Sequence, residues 1–285
     1  MNKIFKIVWS KSRQCYIVVS EYAKNTSGKK AIATALVAFS VLAGTGAVQA
    51  VWPDGAQVGQ SNFQIGRGAK AGIGSGSQNS QAIGVDARAY QSKDVALGSD
   101  AVAKGLPISN NKAHPATALG AHSNADGDST LAVGFGTNAS NTNATAVGAN
   151  ASATGTDSTV VGSGASTNQA SASVLGSNAT VTGVAGTAVG SSSTAANNSF
   201  AGGNNAMAAG GNSVAIGMTT KASGTGSVAV GNTAQATNAS TTAVGDGAKA
   251  TGISSSAFGQ KANATNSYAL AVGVGAQATN IFTSA

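Results

Sequence analysis

From residue 61 to residue 280 the chain alternates apolar triplets with runs of small polar residues, and the alternation is periodic. Each triplet ends in glycine. The index glycines are Gly66, Gly84, Gly98, Gly120, Gly134, Gly148, Gly162, Gly176, Gly190, Gly203, Gly217, Gly231, Gly245, Gly259 and Gly273. Of the fourteen gaps between these fifteen glycines, eleven are 14 residues long. A fixed short period means that one supersecondary unit is stacked on copies of itself.

Counted from the index glycine, each column has its own chemistry. Position −1 is branched or large, as in Leu97, Val133, Val147, Val189, Ile216, Val230, Val244, Phe258 and Val272. Position −2 is small, typically Ala96, Ala132, Ala146, Ala188, Ala229 and Ala271, while positions +3 and +5 hold Ala, Ser or Thr. Position +7 is Gly or Asn in twelve of the fifteen copies, among them Gly105, Asn141, Gly155, Gly224 and Asn266. Gly and Asn enter left-handed backbone space at low cost, so two corners are expected per unit, seven residues apart. Half a unit is too short for a stable helix and fits a strand of three to five residues.

The pattern therefore predicts an all-β fold, a parallel β-roll (β-solenoid) of about fifteen 14-residue coils. Side-chain alternation sends −3 and −1 to one face of the first strand and −2 to the other. The larger residues are expected to fill the thin interior, so the nine −1 residues named above are the predicted core. The −2 alanines then form a smooth outer stripe along the rod. Such a strip is more apolar surface than a monomer usually exposes and would let copies approach closely; the simpler alternative is that alanine tolerates a crowded strand position.

Composition sharpens this picture. Aromatic residues make up 5% and charged residues 9% of the 285-residue chain, too few for a thick globular core. The net charge of +7 is concentrated in the leader: residues 1–50 hold seven Lys or Arg and one Glu, against nine Lys or Arg and eight Asp afterwards. A nucleic-acid reading based on overall basicity therefore fails. The single cysteine is Cys15.

Residues 1–50 read as an export address. Lys29 and Lys30 precede an apolar run from Ala31 to about Val48, and Val48-Gln49-Ala50 is a small-residue processing site, with cleavage expected between Ala50 and Val51. A run of this length could also be retained as a membrane anchor. The preceding segment resembles the extended signal peptide region of large Gram-negative autotransporters. The likeness lies in its Met1-Asn2-Lys3-Ile4 opening, its Val8-Trp9 pair and its Val19-Ser20-Glu21-Tyr22-Ala23-Lys24 end.

The repeats, such as Asn212-Ser213-Val214-Ala215-Ile216-Gly217, resemble the head of trimeric autotransporter adhesins of the YadA type. That resemblance implies a left-handed β-roll, three chains per head forming a homotrimer, and display at the outer membrane of the bacterial cell surface. It also implies binding to collagen and other host matrix proteins or cells, and autoagglutination. The expected layout is an extended signal peptide at 1–50, a lead-in at 51–60, head repeats at 61–280 and a tail at 281–285. Such heads are followed by a neck, a coiled-coil stalk and a barrel anchor, none of which is written here before Ala285. The sequence reads as a head-only product, a truncated frame or a piece of a longer adhesin, surface-held in the last case and otherwise secreted.

Binding is expected where the period breaks, because loops project from a rigid scaffold. Eight extra residues lie between Gly98 and Gly120, including Pro107, Asn110, Asn111, His114 and Pro115, and predict a protruding loop. Four extra residues around Gly72–Gly76 predict a second bulge. Arg67, Lys70, Arg88, Lys93, Lys104 and Lys112 cluster in sequence near this end, whereas no Lys or Arg occurs from Ala113 to Thr220. These six are the candidate ligand-binding residues for acidic partners; a solubilising end is the simpler alternative.

No other motif carries chemistry. The runs beginning at Gly134 and Gly273 mimic a dinucleotide fingerprint but lack the βαβ context. His114 and His122 lack the further ligands of a metal site, the aspartates share no column as calcium rolls require, and no base–nucleophile set can be assembled. No cofactor, metal or catalytic residue is assigned. The competing solenoid classes are acyltransferase helices with six-residue strands and ice-binding rods with an unbroken Thr ladder. In the −3 column here, Thr117, Thr145, Thr159, Thr187 and Thr242 are interrupted by Val95, Leu131, Val214 and Leu270.

Overall fold

The computed structural model describes residues 5–10, 15–20, 62–74, 76–109 and 112–285, with side chains for 62–74, 76–107 and 113–285. The expected processing site at Ala50 and Val51 and the lead-in at 51–60 lie outside the described residues, as do Ser75, Asn110 and Asn111. The chain divides into two units, Met1–Thr45 and Gly46–Ala285. In the first, Phe5–Ser10 and Cys15–Ser20 pair as an antiparallel hairpin, with Trp9 opposite Tyr16.

The second unit is the expected two-cornered roll. It has two parallel fifteen-stranded sheets and, among the described residues, no helix. The front sheet runs from Phe63–Ile65 to Leu270–Val272, and each of its strands ends one residue before an index glycine. The back sheet runs from Lys70–Ala71 to Gln277–Ala278. Register is strict: Leu131, Ala132 and Val133 lie on Thr145, Ala146 and Val147, which lie on Thr159, Val160 and Val161. At about 4.8 Å per rung, fifteen rungs make a rod roughly 70 Å long.

The interior is the reverse of the predicted one. The −2 residues, from Ala82 to Ala271, are fully buried or nearly so, and so are the +5 residues from Ala89 to Ala278. Leu97, Ile216, Phe258 and Val272 are exposed, at 37%, 42%, 40% and 57% respectively. Val133, Val147, Val189, Val230 and Val244 are only half-buried. All nine predicted core residues stand on the outer face of the front sheet. The reason is steric. Tight corners hold the sheets so close that facing residues have room for a methyl group, and the largest buried hydrophobic side chains are Val160, Val174 and Val181. Hydrophobicity alone assigned the wrong parity; side-chain volume decides it.

The corners also refine the sequence reading. Index glycines have positive φ, and each stacks on the next: a Cβ on Gly98 (φ 138°) would lie 2.4 Å from the carbonyl oxygen of Gly120. In the second corner the left-handed residue is usually at +9, as at Asn143, Asp157, Ser171 and Ser240, rather than at +7. Position +7 is restricted by proximity instead. A Cβ on Gly155 would lie 2.0 Å from the Gln169 carbonyl oxygen. Where asparagine takes this place, in Asn141, Asn238 and Asn266, its amide donates to a carbonyl of the following coil.

Buried hydroxyls are satisfied locally. Ser123, Thr137, Ser158, Ser193 and Ser255 donate to the carbonyl three residues earlier at 2.6–2.9 Å. Among the described residues only the Ser227 hydroxyl is buried without a partner.

Candidate functional site

The insertion after Gly98 forms a ribbon of its own. Leu106–Ser109 and Lys112–His114 pair antiparallel outside both main sheets, with His114 opposite Leu106, and Leu106 is 47% exposed. The expected protrusion is therefore present. The shorter insertion is a bulge tied to the next coil, where the Gly74 N–H donates to the Tyr90 carbonyl at 2.7 Å and the Ser77 hydroxyl to the same oxygen at 2.9 Å.

A buried carboxylate anchors the ribbon. Asp94 has no exposed surface. It accepts the main-chain N–H of Gln91 at 2.7 Å, of Gly105 at 3.0 Å and of Ala116 at 2.8 Å. Gly105 and Ala116 are the two ends of the insertion, so one side chain closes its base. Burial pushes the Asp94 pKa up, and the main-chain donors oppose that shift. Among the −4 residues, Asp94 is the one charged side chain; Ser80, Ala116, Thr130, Ala144 and Ser158 are typical of the column. That departure, a few residues ahead of an insertion, was a signal available in the sequence and missed.

Side-chain contacts to aspartates secure the surrounding surface. His114 Nδ1 lies 2.8 Å from Asp128, Lys104 Nζ lies 3.3 Å from Asp126, and His122 Nδ1 lies 3.6 Å from Asp100. Ser129 donates to the other Asp128 oxygen at 2.7 Å, and these contacts hold the Asp128 pKa below the usual range, with the Ser129 bond the largest cause. His122 also packs edge-on against Phe135 at 5.5 Å. The serine and the histidine meet the carboxylate rather than each other, so this is not a nucleophile–base arrangement. Among the described residues no three His, Cys, Asp or Glu side chains group as metal ligands, and no helix is long and apolar enough to cross a membrane.

The six candidate cations do not form one patch. Lys70 and Arg88 sit on adjacent rungs of the back sheet's outer face, in direct register. Arg67 lies at the first corner of the same coil as Lys70, whereas exposed Lys93 holds a left-handed position at the opposite corner. Lys104 is paired with Asp126, and the backbone of Lys112 belongs to the ribbon. The compact basic group is Arg67, Lys70 and Arg88. Like charges on neighbouring rungs repel, and an anion placed between them would relieve that repulsion.

A solenoid of this regularity belongs to the class of repetitive parallel β-solenoid proteins. Comparison with known families agrees. Residues 1–50 match the extended signal peptide of the type V secretion system, and residues 113–137, 139–165, 222–248 and 250–282 match the YadA head domain repeat. The leader and the repeats thus match independently, and both matches support a trimeric autotransporter adhesin. The autotransporter adhesin EhaG of Escherichia coli O157:H7 is 36% identical over 114 residues, covering 37% of this chain and 6% of that relative. The chain thus spans a small fraction of that relative's length. The crystal structure of the collagen-binding domain of the Yersinia adhesin YadA aligns over 59% of this chain and 63% of its own. Its identity is 22% and its TM-score 0.24, too loose a superposition to bear on the geometry.

Proposed function

We propose that residues 61–280 are the matrix-contacting, non-catalytic head of a homotrimeric surface adhesin, exported after cleavage between Ala50 and Val51. The observation that carries this reading is the outer face of the front sheet. Leu97, Leu119, Leu175, Ile216, Phe258 and Val272 stand on it at 37–57% exposure, rung above rung. An apolar strip running the length of a rod exceeds what a soluble monomer normally exposes, and three copies packed front sheet inward would cover it. This replaces the alanine stripe as the contact face between copies.

Three heads side by side would bring three copies of Arg67, Lys70 and Arg88, and three ribbons, to one end of the assembly. Weak contacts to a repetitive acidic or collagen-like matrix protein, or to a host cell, would then add through avidity, and heads on neighbouring cells would autoagglutinate. The test is sedimentation of residues 51–285, followed by binding to immobilised matrix proteins. A trimer that binds with micromolar or better apparent affinity supports the reading. A stable monomer, or a trimer that retains nothing from a matrix panel, rejects it.

A further inference from the structure

On the outer face of the back sheet a trough of about 500 Å³ opens over the coils from Ser152 to Thr182. One wall is Ser152, Ser166 and Thr180, stacked in register; the other is Thr154, Asn168 and Thr182. Its depth comes from side-chain length. Along the first wall, short residues replace the Asn124 and Asn138 amides above, and below it, past Thr194, stand Met207 and Lys221. The interior behind the floor is also specialised. In the back sheet's buried column every residue is alanine except Thr167 and Val181, whose side chains point inward beneath the trough. The front sheet's buried column departs from alanine only at Gln64, in the first coil, and at Val160 and Val174, in the coils facing the trough. Wall and interior thus change together over the same rungs.

The chemistry of the lining points to one ligand class. The hydroxyls of Ser152, Ser166 and Thr180 make no hydrogen bond to another described residue, while Thr154 and Thr182 make only long ones, at 3.4 and 3.3 Å. Gln169 Nε2 donates to the side-chain oxygen of Asn168 at 2.6 Å, and the Asn168 amide nitrogen makes no hydrogen bond to another described residue. No charged side chain lines the trough, and no Lys or Arg occurs between Ala113 and Thr220. An ionic ligand gains nothing here. A chain of neutral hydroxyls, each both donor and acceptor, matches rows of hydroxyls and amides repeating every 4.8 Å or so. We propose that this trough binds an uncharged glycan along the rod, independently of the basic Arg67–Lys70–Arg88 group.

The test uses the exported chain, residues 51–285, with cellohexaose, maltohexaose and chitohexaose as neutral probes and chondroitin sulfate as the charged one, read by saturation-transfer NMR and calorimetry. The variants are Ser166→Gln and Thr180→Gln. Gln235 and Gln277 already occupy the same column, so the roll accommodates this side chain. The expected result is binding of at least one neutral hexasaccharide, little altered between 50 and 500 mM salt, and weakened about tenfold or more by either variant. Two results would overturn the proposal: no neutral probe binds, or binding survives both variants. Chondroitin sulfate binding that is lost on reversing Lys70 and Arg88, with no neutral probe bound, would overturn the trough while sparing the basic-end reading.

Discussion

The carboxylate of Asp94 accepts the main-chain N–H of Ala116 at 2.8 Å across twenty-two residues of sequence, and that single bond, with its partner at Gly105, shuts the base of the inserted ribbon. Asp94→Ala leaves three N–H groups, those of Gly105 and Ala116 buried, without their acceptor. We expect a loss of about 2–5 kcal/mol and faster amide exchange at Gly105 and Ala116 than at Ala146. Unchanged exchange at those two amides would contradict the anchoring role.

The same residue sets a pH dependence of defined sign. Burial raises the folded pKa of Asp94, so the folded chain binds this proton more tightly than the unfolded chain does. Its contribution is greatest below the ordinary aspartate pKa and is lost as pH rises through the folded value. Asp128, whose pKa is lowered, acts oppositely, with stabilisation present above the ordinary value and lost in acid. Comparing melts from pH 3 to pH 7, Asp94→Asn should remove the first slope and Asp128→Asn the second.

Glycine at the index position is set by both conformation and space. Gly98→Ala would force an L side chain to a φ of 138° and drive its Cβ to 2.4 Å from the Gly120 carbonyl oxygen. We expect at least about 2 kcal/mol of destabilisation, measured as a lower denaturation midpoint. Ala at exposed Gly226, where a Cβ meets nothing within 4 Å although φ is 63°, should cost less, on the order of 1 kcal/mol.

Reversing charge at Arg67, Lys70 and Arg88 should weaken matrix binding about tenfold or more at low salt and leave sedimentation unchanged, since the three lie on a corner and on the back sheet, away from the apolar strip. Reversal at Lys93, on the opposite corner, should do less. Equal effects at both places would indicate long-range charge rather than a defined contact.

Leu119→Asp and Leu175→Asp place a charge on the exposed strip, at positions 39% and 53% exposed in the single chain. Both should keep a β-type circular dichroism spectrum while shifting sedimentation from trimer towards monomer. Loss of the β spectrum would show these residues to be interior.

Much of this was legible from the period alone. Fifteen index glycines become fifteen coils, and the eight residues added before Gly120 become a ribbon, because stacking repeats exclude most alternatives. Parity was not legible. Val147 is more hydrophobic than Ala146, and the ordinary rule puts the larger residue inside; only the closeness of the sheets makes alanine the interior residue. Asp94 did leave a trace, as the one charge in a column of small residues, but a lone aspartate there looks like surface until its three main-chain donors are placed around it.

The central claim is an alanine interior beneath an aliphatic exterior, and identical substitutions at two consecutive residues test it. Thermal melts followed by circular dichroism should show Ala146→Asp losing about 10 °C or more relative to Val147→Asp. An unpaired charge at the first site is buried between Ala132 and Val160, at a cost of about 3–5 kcal/mol. A Val147→Asp chain that melts as low as Ala146→Asp, or lower, would contradict the assignment of the two faces.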